Sequence, residues 1–545
     1  MTISSEVKKA SWSVLAMLAA AQFIMVLDTT VMNVSISQIV EDLNTTVVGL
    51  QTAITVYTLV MAAFMLIGGK LGDRWGSKRA YVIGMLIYGL GSLITALSPN
   101  IQVLLVGWSF IEGFGAVLVI PAIAALTAIT YSGRQRAIAF GIIGGVSGAS
   151  AAIGPLIGGW VTAYYSWRLV FAAETLTVLI LMLFLKAIPA TKGRELKMDN
   201  LGAFLSAAGL GFAVFGILLS SQWGWIIPKA AAPFTPLGLS PVFWFIIIGL
   251  LLLGAFSRHE ETMIEAGREP LLDVRLLKIP RLRAGLTSLL SQQFIIMSTF
   301  FILPLYLQSV LGYDSLETGK RILPLSISLF AFALGGSALT GRYSPKRIVS
   351  MGLYGMLIGE VLLIGLMTPE LKSTGFSIAL ALIGADLGLM ASQLSNVNMS
   401  SVPPERGSEV GGLQGTAQNL GASLGTALVG SILIASLVAN FTTNILLDPA
   451  LASVSNQIAV AAEQNANFVT VDQVAAASEA AGMTPEQVAA TTAAYADAQI
   501  AALKAAFAGV SLFSLLALWY VRRLPNRQEE AEREAAEAQT APQVG

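Results

Sequence analysis

The strongest constraint on this chain is a succession of apolar runs, most of them eighteen residues or longer, separated by short charged connections. A helix of that length crosses a hydrocarbon core of about 30 Å, and only helices or closed barrels satisfy their backbone polar groups there. Fourteen spans are placed near residues 13–36, 47–68, 80–97, 101–126, 137–162, 168–187, 200–220, 240–257, 285–310, 321–340, 347–367, 374–399, 411–437 and 500–521. An all-α polytopic membrane protein is therefore expected. Of 545 residues, 55% are hydrophobic and 12% charged; a soluble domain carries about twice that charged share. The first run, Trp12 to Ile36, is too long for a signal peptide and lacks a small-residue cleavage pattern.

The zero net charge hides an asymmetry. Assigning the connections alternately to two sides puts 26 of the 32 Lys and Arg on one of them, from Lys8 and Lys9 to Arg522 onward. By the positive-inside rule that side is the cytoplasm, so a multi-pass protein of the cell membrane with both termini cytoplasmic is expected. Loop 438–498, on the other side, holds Asp448, Glu463, Asp472, Glu479, Glu486 and Asp497 without Lys or Arg. Thr484-Pro485-Glu486-Gln487 within it reads as a helix N-cap. A solvated acidic cap is one reading of this loop, and a funnel for cationic substrates is the other. Residues 526–545 read as a disordered cytoplasmic tail.

Gly69-Lys70-Leu71-Gly72-Asp73-Arg74-Trp75-Gly76-Ser77-Lys78-Arg79 is a charged, glycine-punctuated hinge between two spans. It reads as an ordered gating loop: its cations hold it at the cytoplasmic surface, its glycines allow close approach, and Asp73 can accept from helix N-terminal amides. Shifted by 268 residues, Leu71, Arg74, Trp75, Lys78 and Arg79 meet Leu339, Arg342, Tyr343, Lys346 and Arg347. Such an echo marks a transporter built from repeats, with substrate bound near the bilayer midplane between them. The expected organisation is a six-helix half over 1–190, an inserted helix pair and linker over 191–283, and a second six-helix half over 284–525.

On these residues the chain resembles the major facilitator superfamily, and within it the fourteen-span drug:proton antiporters. Gly69 to Arg79 is similar to the superfamily's loop between helices 2 and 3, with Asp73, Arg74, Gly76 and Lys78 in place. Leu27-Asp28-Thr29-Thr30-Val31-Met32-Asn33-Val34 resembles the first-helix motif of the fourteen-span exporters, and Gly154, Pro155, Gly158 and Gly159 follow the antiporter motif of helix 5. The resemblance implies the major facilitator fold, two six-helix halves plus two inserted helices, and proton-coupled export of hydrophobic, often cationic drugs. It departs at Ser109-Phe110-Ile111-Glu112-Gly113, where serine replaces the usual arginine and glutamate the glutamine.

Five carboxyls fall inside predicted spans: Asp28, Glu112, Glu174, Glu360 and Asp386. Each costs roughly 2.5–3.5 kcal/mol near mid-bilayer, so water, a partner or a proton must offset it. They are the candidates for proton coupling and substrate binding. Asn33, Trp108, Gln292, Phe301 and Gln393 are the expected cavity lining. Neither cysteine nor a phosphate-binding loop is present, and the single His259 rules out a histidine-based metal site. No cofactor, metal or nucleic acid is expected; the partners are lipophilic small molecules, protons and the bilayer, and the state is monomeric. The competing readings are an exporter dedicated to one metabolite, lipid or antibiotic, a non-transporting sensor and a membrane enzyme.

Overall fold

The computed structural model describes residues 12–45, 47–195, 197–229, 231–339, 342–371, 373–403, 406–464, 468–524 and 526. Among them every regular element is helical, and fourteen helices of at least sixteen residues fall on the fourteen expected spans. In chain order, α1 is Trp12–Val34, α2 Val47–Trp75, α3 Ser77–Ala96 and α4 Ile101–Thr130. Helices α5 Gly133–Tyr164, α6 Arg168–Leu183, α7 Asn200–Trp223 and α8 Pro241–Glu265 follow. The remainder are α9 Pro280–Val310, α10 Ser315–Ala338, α11 Pro345–Leu366, α12 Ser373–Met399, α13 Gly407–Leu447 and α14 Pro485–Val521. Eleven are long and apolar enough to cross a membrane. The other three are the glycine-rich α5, the sixteen-residue α6, and α10, whose opening turns carry Glu317, Lys320 and Arg321.

Several boundaries differ from expectation. The hinge at 69–79 is almost entirely helical: α2 continues through Trp75, α3 begins at Ser77, and the reversal falls on Gly76 alone, at φ +87°. Only glycine adopts that conformation without strain. Helices α13 and α14 also run well past the predicted 411–437 and 500–521. Between them, Ser455–Gln464 and Val471–Ala480 are helical. Thr484 and Gln487 form a reciprocal capping box at the start of α14. The segment packs down: Tyr495 meets Phe441 edge-on at 5.2 Å, and Gln499 Nε2 donates to Val469 O at 2.6 Å. Apart from Asn526, the expected tail lies outside the described residues.

Buried apolar side chains form one large cluster in α1–α4 and α6, around Leu18, Tyr81 and Trp167, and another in α9–α14, around Leu325, Met390 and Phe507. Lipid is as apolar as these side chains, so dispersion and close backbone approach hold such helices together rather than expulsion of water. Glycine supplies that approach where the first and last six helices meet. A Cβ built on Gly148 of α5 would lie 2.0 Å from Leu329 of α10, and one on Gly69 of α2 would lie 2.6 Å from the Ser408 carbonyl of α13. Helices α7 and α8 pair with each other, and α7 leans on α2 and α13.

Candidate functional site

Three of the five predicted carboxyls converge. Asp28 of α1, Glu112 of α4 and Glu174 of α6 are buried, and each places an oxygen within 4.8 Å of the other two. Local sequence explains the approach. A Cβ on Gly91 of α3 would lie 2.5 Å from Glu112 N, and one on Gly115 of α4 would lie 2.5 Å from Tyr88 N. Helix α4 widens into a π-helical stretch over Leu105–Glu112, which ends on the acid itself. Such insertions re-aim side chains and cluster at functional sites. Here the stretch also carries Trp108, whose Nε1–H donates to Asp28 Oδ1 at 2.7 Å. The indole stacks on Tyr57 of α2, with centroids 4.7 Å apart and planes 8° apart.

Tyr88 and Ser92 of α3 each donate a hydroxyl to Glu174 Oε2, at 3.4 and 3.3 Å. Asp28 Oδ2, Glu174 Oε1 and both Glu112 oxygens are buried without a hydrogen-bond partner. Among the described ion pairs, no Lys or Arg reaches the three acids. Ser109, which stands where the superfamily's arginine was expected, donates to Ala53 O at 2.7 Å and ties α4 to α2. Like charges this close repel strongly in a medium poorer than water in screening, so three full charges are not held together. The oxygens are also spaced to hold a metal ion. That grouping was invisible to ligand spacing in the sequence, because it is assembled from three separate helices. The donors of Trp108, Tyr88 and Ser92 occupy one oxygen each of Asp28 and Glu174 and leave the other four oxygens of the triad without a donor.

Glu360 and Asp386 do not join this triad; they form a second acidic group in the last six helices. Ser514 of α14 donates to Glu360 Oε1 at 2.9 Å, while Glu360 Oε2 and Asp386 Oδ2 have no partner. The Asp386 carboxyl rests against Gly355, where a Cβ would fall 2.3 Å from Oδ2. The two groups mirror each other with roles exchanged. In the first, the acid is on α6 and the serine on α3; in the second, the acid is on α11 and the serine on α14. Ser92 and Glu360 stand 268 residues apart, the offset of the hinge echo. Tyr57, Tyr88, Ser92 and Ser514 were missed from sequence, and that offset was the one signal pointing to Ser92.

The residues expected to line a cavity make the following contacts. Gln292 Nε2 donates to Leu387 O at 3.0 Å and Gln393 Nε2 to Gly336 O at 3.1 Å, so both buried amides hold neighbouring helices together. Trp108 serves the triad, and Phe301 packs near Gly430 of α13. The side chains of Asn33 and Pro155 lie outside the described ones. The helix-5 glycines split between partners: Gly154 and Gly158 face Thr30 and Val31 of α1, whereas Gly144 and Gly145 face Ala391 of α12 and Ala333 of α10. Gly159 is half-buried.

At the hinge end, the two sets of helices touch. Asp73 lies beside Ser408 in the first turn of α13, and Ser77 Oγ is 3.2 Å from Ser408 Oγ. Buried Lys70 reaches Glu269 of the 266–279 linker at 3.9 Å, and Arg194 approaches the same carboxylate at 3.9 Å. Lys78 Nζ donates to Ile188 O at 2.6 Å; Arg74 and Arg79 are exposed. Asp273 of the linker accepts from Arg406 at 2.6 Å and donates its amide to Glu409 at 2.6 Å. The linker's part was not legible in the sequence, since nothing local marks Glu269 or Asp273 as partners of residues far along the chain.

A helical bundle with repeat-related hinges and acids buried on facing helices is the architecture of a multi-pass membrane transporter. The family model of the Major Facilitator Superfamily matches residues 18–256 and 199–426, and the chain belongs to that superfamily. It is 28% identical over 430 residues to the puromycin resistance protein pur8 of Streptomyces alboniger, covering 77% of this chain and 81% of that one. It is 26% identical to the tetracenomycin C resistance and export protein of Streptomyces glaucescens, covering 81% and 79%. Among solved structures, the human organic anion transporter MFSD10 (TETRAN) matches with a TM-score of 0.54 at 13% identity, covering 93% of this chain and 96% of that one. This last likeness concerns the fold alone.

Proposed function

We propose that this protein is a fourteen-span antiporter of the cell membrane that exports hydrophobic, often cationic compounds in exchange for protons, with both termini cytoplasmic. The observation that carries the reading is the buried triad Asp28–Glu112–Glu174, which lacks a cationic partner among the described ion pairs. Such a group holds fewer charges than carboxyls, which suits it to take up and release protons as its surroundings change. A substrate cation and a proton then compete for the same oxygens, which is what exchange requires. Glu360 and Asp386 provide a second acidic group in the other half.

The helix contacts support alternating access. The two six-helix halves, 1–190 and 284–525, meet at the hinge end through α2–α13 and along the length of α5–α10, and α7 of the inserted pair supports α2 and α13. Moving one charge across the membrane is worth about 2.3 kcal/mol per 100 mV, enough for proton exchange to sustain a substrate gradient. The names of the two actinomycete relatives favour a second reading, export of a single antibiotic.

Reconstituted protein with an imposed pH gradient tests the first reading. Cationic dye should accumulate against its gradient and stop doing so with an uncoupler; dye flux indifferent to the gradient would overturn the proposal. A panel of unrelated dyes and antibiotics separates broad from dedicated export. Trp108→Phe keeps the stack on Tyr57 but removes the N–H donated to Asp28. Gradient-driven efflux should fall by about tenfold, the size of one charge-assisted hydrogen bond of about 1.5 kcal/mol. Asp73→Asn, at the closed hinge, should lower turnover severalfold more than it weakens dye binding; a pure loss of affinity would contradict a gating role.

A further inference from the structure

We propose that Asp199, His259 and Glu260 form a regulatory proton-binding site at the hinge end of the inserted helix pair, apart from the five intramembrane carboxyls, and that its proton keeps the 266–279 linker in place. The inference goes beyond the export reading and takes from it only that the hinge end opens and closes. The three side chains sit where α7 begins and α8 ends. Asp199 caps α7, its Oδ1 accepting from Gly202 N at 3.0 Å, and its Oδ2 lies 2.8 Å from His259 Nε2. Glu260 is 0% exposed; its Oε2 accepts from Leu272 N of the linker at 3.4 Å, and its Oε1 has no donor. A Cβ on Gly202 would fall 2.2 Å from Asp199 Oδ2 and 2.3 Å from Glu260 Oε1, so glycine there lets the two carboxyls stand against one another.

The charges on the surrounding elements are engaged elsewhere. Glu269 of the linker turns to Lys70 and Arg194, Asp273 to Arg406, and Lys278 to Glu261 of α8. Lys197, Arg258, Glu265 and Arg268 are exposed. Among the described ion pairs, His259 alone reaches Asp199 and none reaches Glu260. Two carboxylate charges in contact and shielded from water repel strongly. One proton between them removes that repulsion and supplies the donor that Glu260 Oε1 lacks. The His259 side chain is 23% exposed and links the pair to solvent. Imidazole changes charge within the physiological range, and its charged form supports the carboxylate that remains.

What Glu260 holds gives the site its consequence. Leu271 and Leu272 are buried in one apolar cluster with Leu66 of α2, Phe256 of α8, and Val410 and Leu413 of α13. The linker therefore wedges both halves together at the end where Gly69 meets Ser408. With the proton bound, Glu260 stays inside and the linker is fixed. Without it, Glu260 turns toward water, frees the Leu272 amide and loosens the wedge. The fixed arrangement holds one more proton than the loosened one, so it is favoured at low pH and lost as pH rises. An exporter that admits protons is thereby restrained when the hinge side acidifies.

Hydrogen–deuterium exchange of the full chain in nanodiscs tests this, read over residues 269–276 and 407–413 and corrected for the pH dependence of intrinsic exchange. From about pH 9 to about pH 6, linker protection should rise by about tenfold or more, as uptake of one proton allows, and the first turns of α13 should follow. Glu260→Gln carries its own donor for Asp199 and still accepts from Leu272, so it should keep the linker protected at both ends of that range. Glu260→Ala should leave it unprotected at both. Asp73→Asn removes the other acid at this end and should leave the linker's pH response in place. A response that survives Glu260→Gln, vanishes with Asp73→Asn, or stops at the linker without reaching α13 would overturn the proposal. Failure of the export reading looks different: dye flux would then ignore the pH gradient while the linker still answered to pH.

Discussion

Asp28→Asn should abolish uphill efflux of cationic dye while leaving the protein folded and in the membrane. Asparagine keeps the side-chain length and an oxygen to accept from Trp108 Nε1, now 2.7 Å from Asp28 Oδ1. What it loses is the capacity to take and give a proton. Removing a proton-transfer group typically costs about 100-fold or more in rate, so gradient-driven flux should fall to background. Downhill exchange of dye across the same vesicles should persist, because the helices still pack and rock. Flux that survives undiminished would remove Asp28 from the mechanism and leave Glu112 and Glu174 to carry it.

Gly69→Ala should shift the resting conformation rather than the chemistry. The added methyl would lie 2.6 Å from the carbonyl oxygen of Ser408 and 3.3 Å from Gly412 Cα, both backbone atoms of α13. No side chain can swing away to relieve that clash, so α2 and α13 must part. Overpacking costs about 1–3 kcal/mol, and a cost of that size depopulates the closed hinge end by about 5–150-fold. The chain contains no cysteine, so Ser408→Cys reports this end without background. Maleimide labelling of that site should be slow in otherwise unchanged protein and faster by about tenfold or more with Gly69→Ala. Turnover should fall in step, and substrate affinity should change little. Equal labelling would show that the hinge end is not held shut by this contact.

Much of the architecture was legible because membrane insertion leaves a one-dimensional record. Each span is an apolar run with a set minimum length, and each connection carries charge according to its side. Helix count, span positions and the hinge echo all follow from patterns within a few dozen residues. Where the reading slipped, local backbone geometry was responsible. The hinge looked like a loop from its charges, yet Lys70 is buried toward the Glu269 carboxylate and α2 stays helical to Trp75. The amides of Gln292 and Gln393, read as cavity lining, each donate to the backbone of a neighbouring helix, a pairing that no local pattern marks.

The candidate site was legible only as a set of types. Sequence alone singled out Asp28, Glu112, Glu174, Glu360 and Asp386, since a carboxyl in an apolar run is costly wherever it ends up. It had no means of telling that three meet and two stand apart. That partition depends on which glycines let α3 and α4 approach, on the π-helical turn that aims Trp108 at Asp28, and on the rotation of α6 that turns Glu174 inward. Periodicity along one chain establishes that helices form and roughly where they cross. Proximity between helices is set by side-chain and backbone contacts distant in sequence, and these exist only once the bundle has assembled.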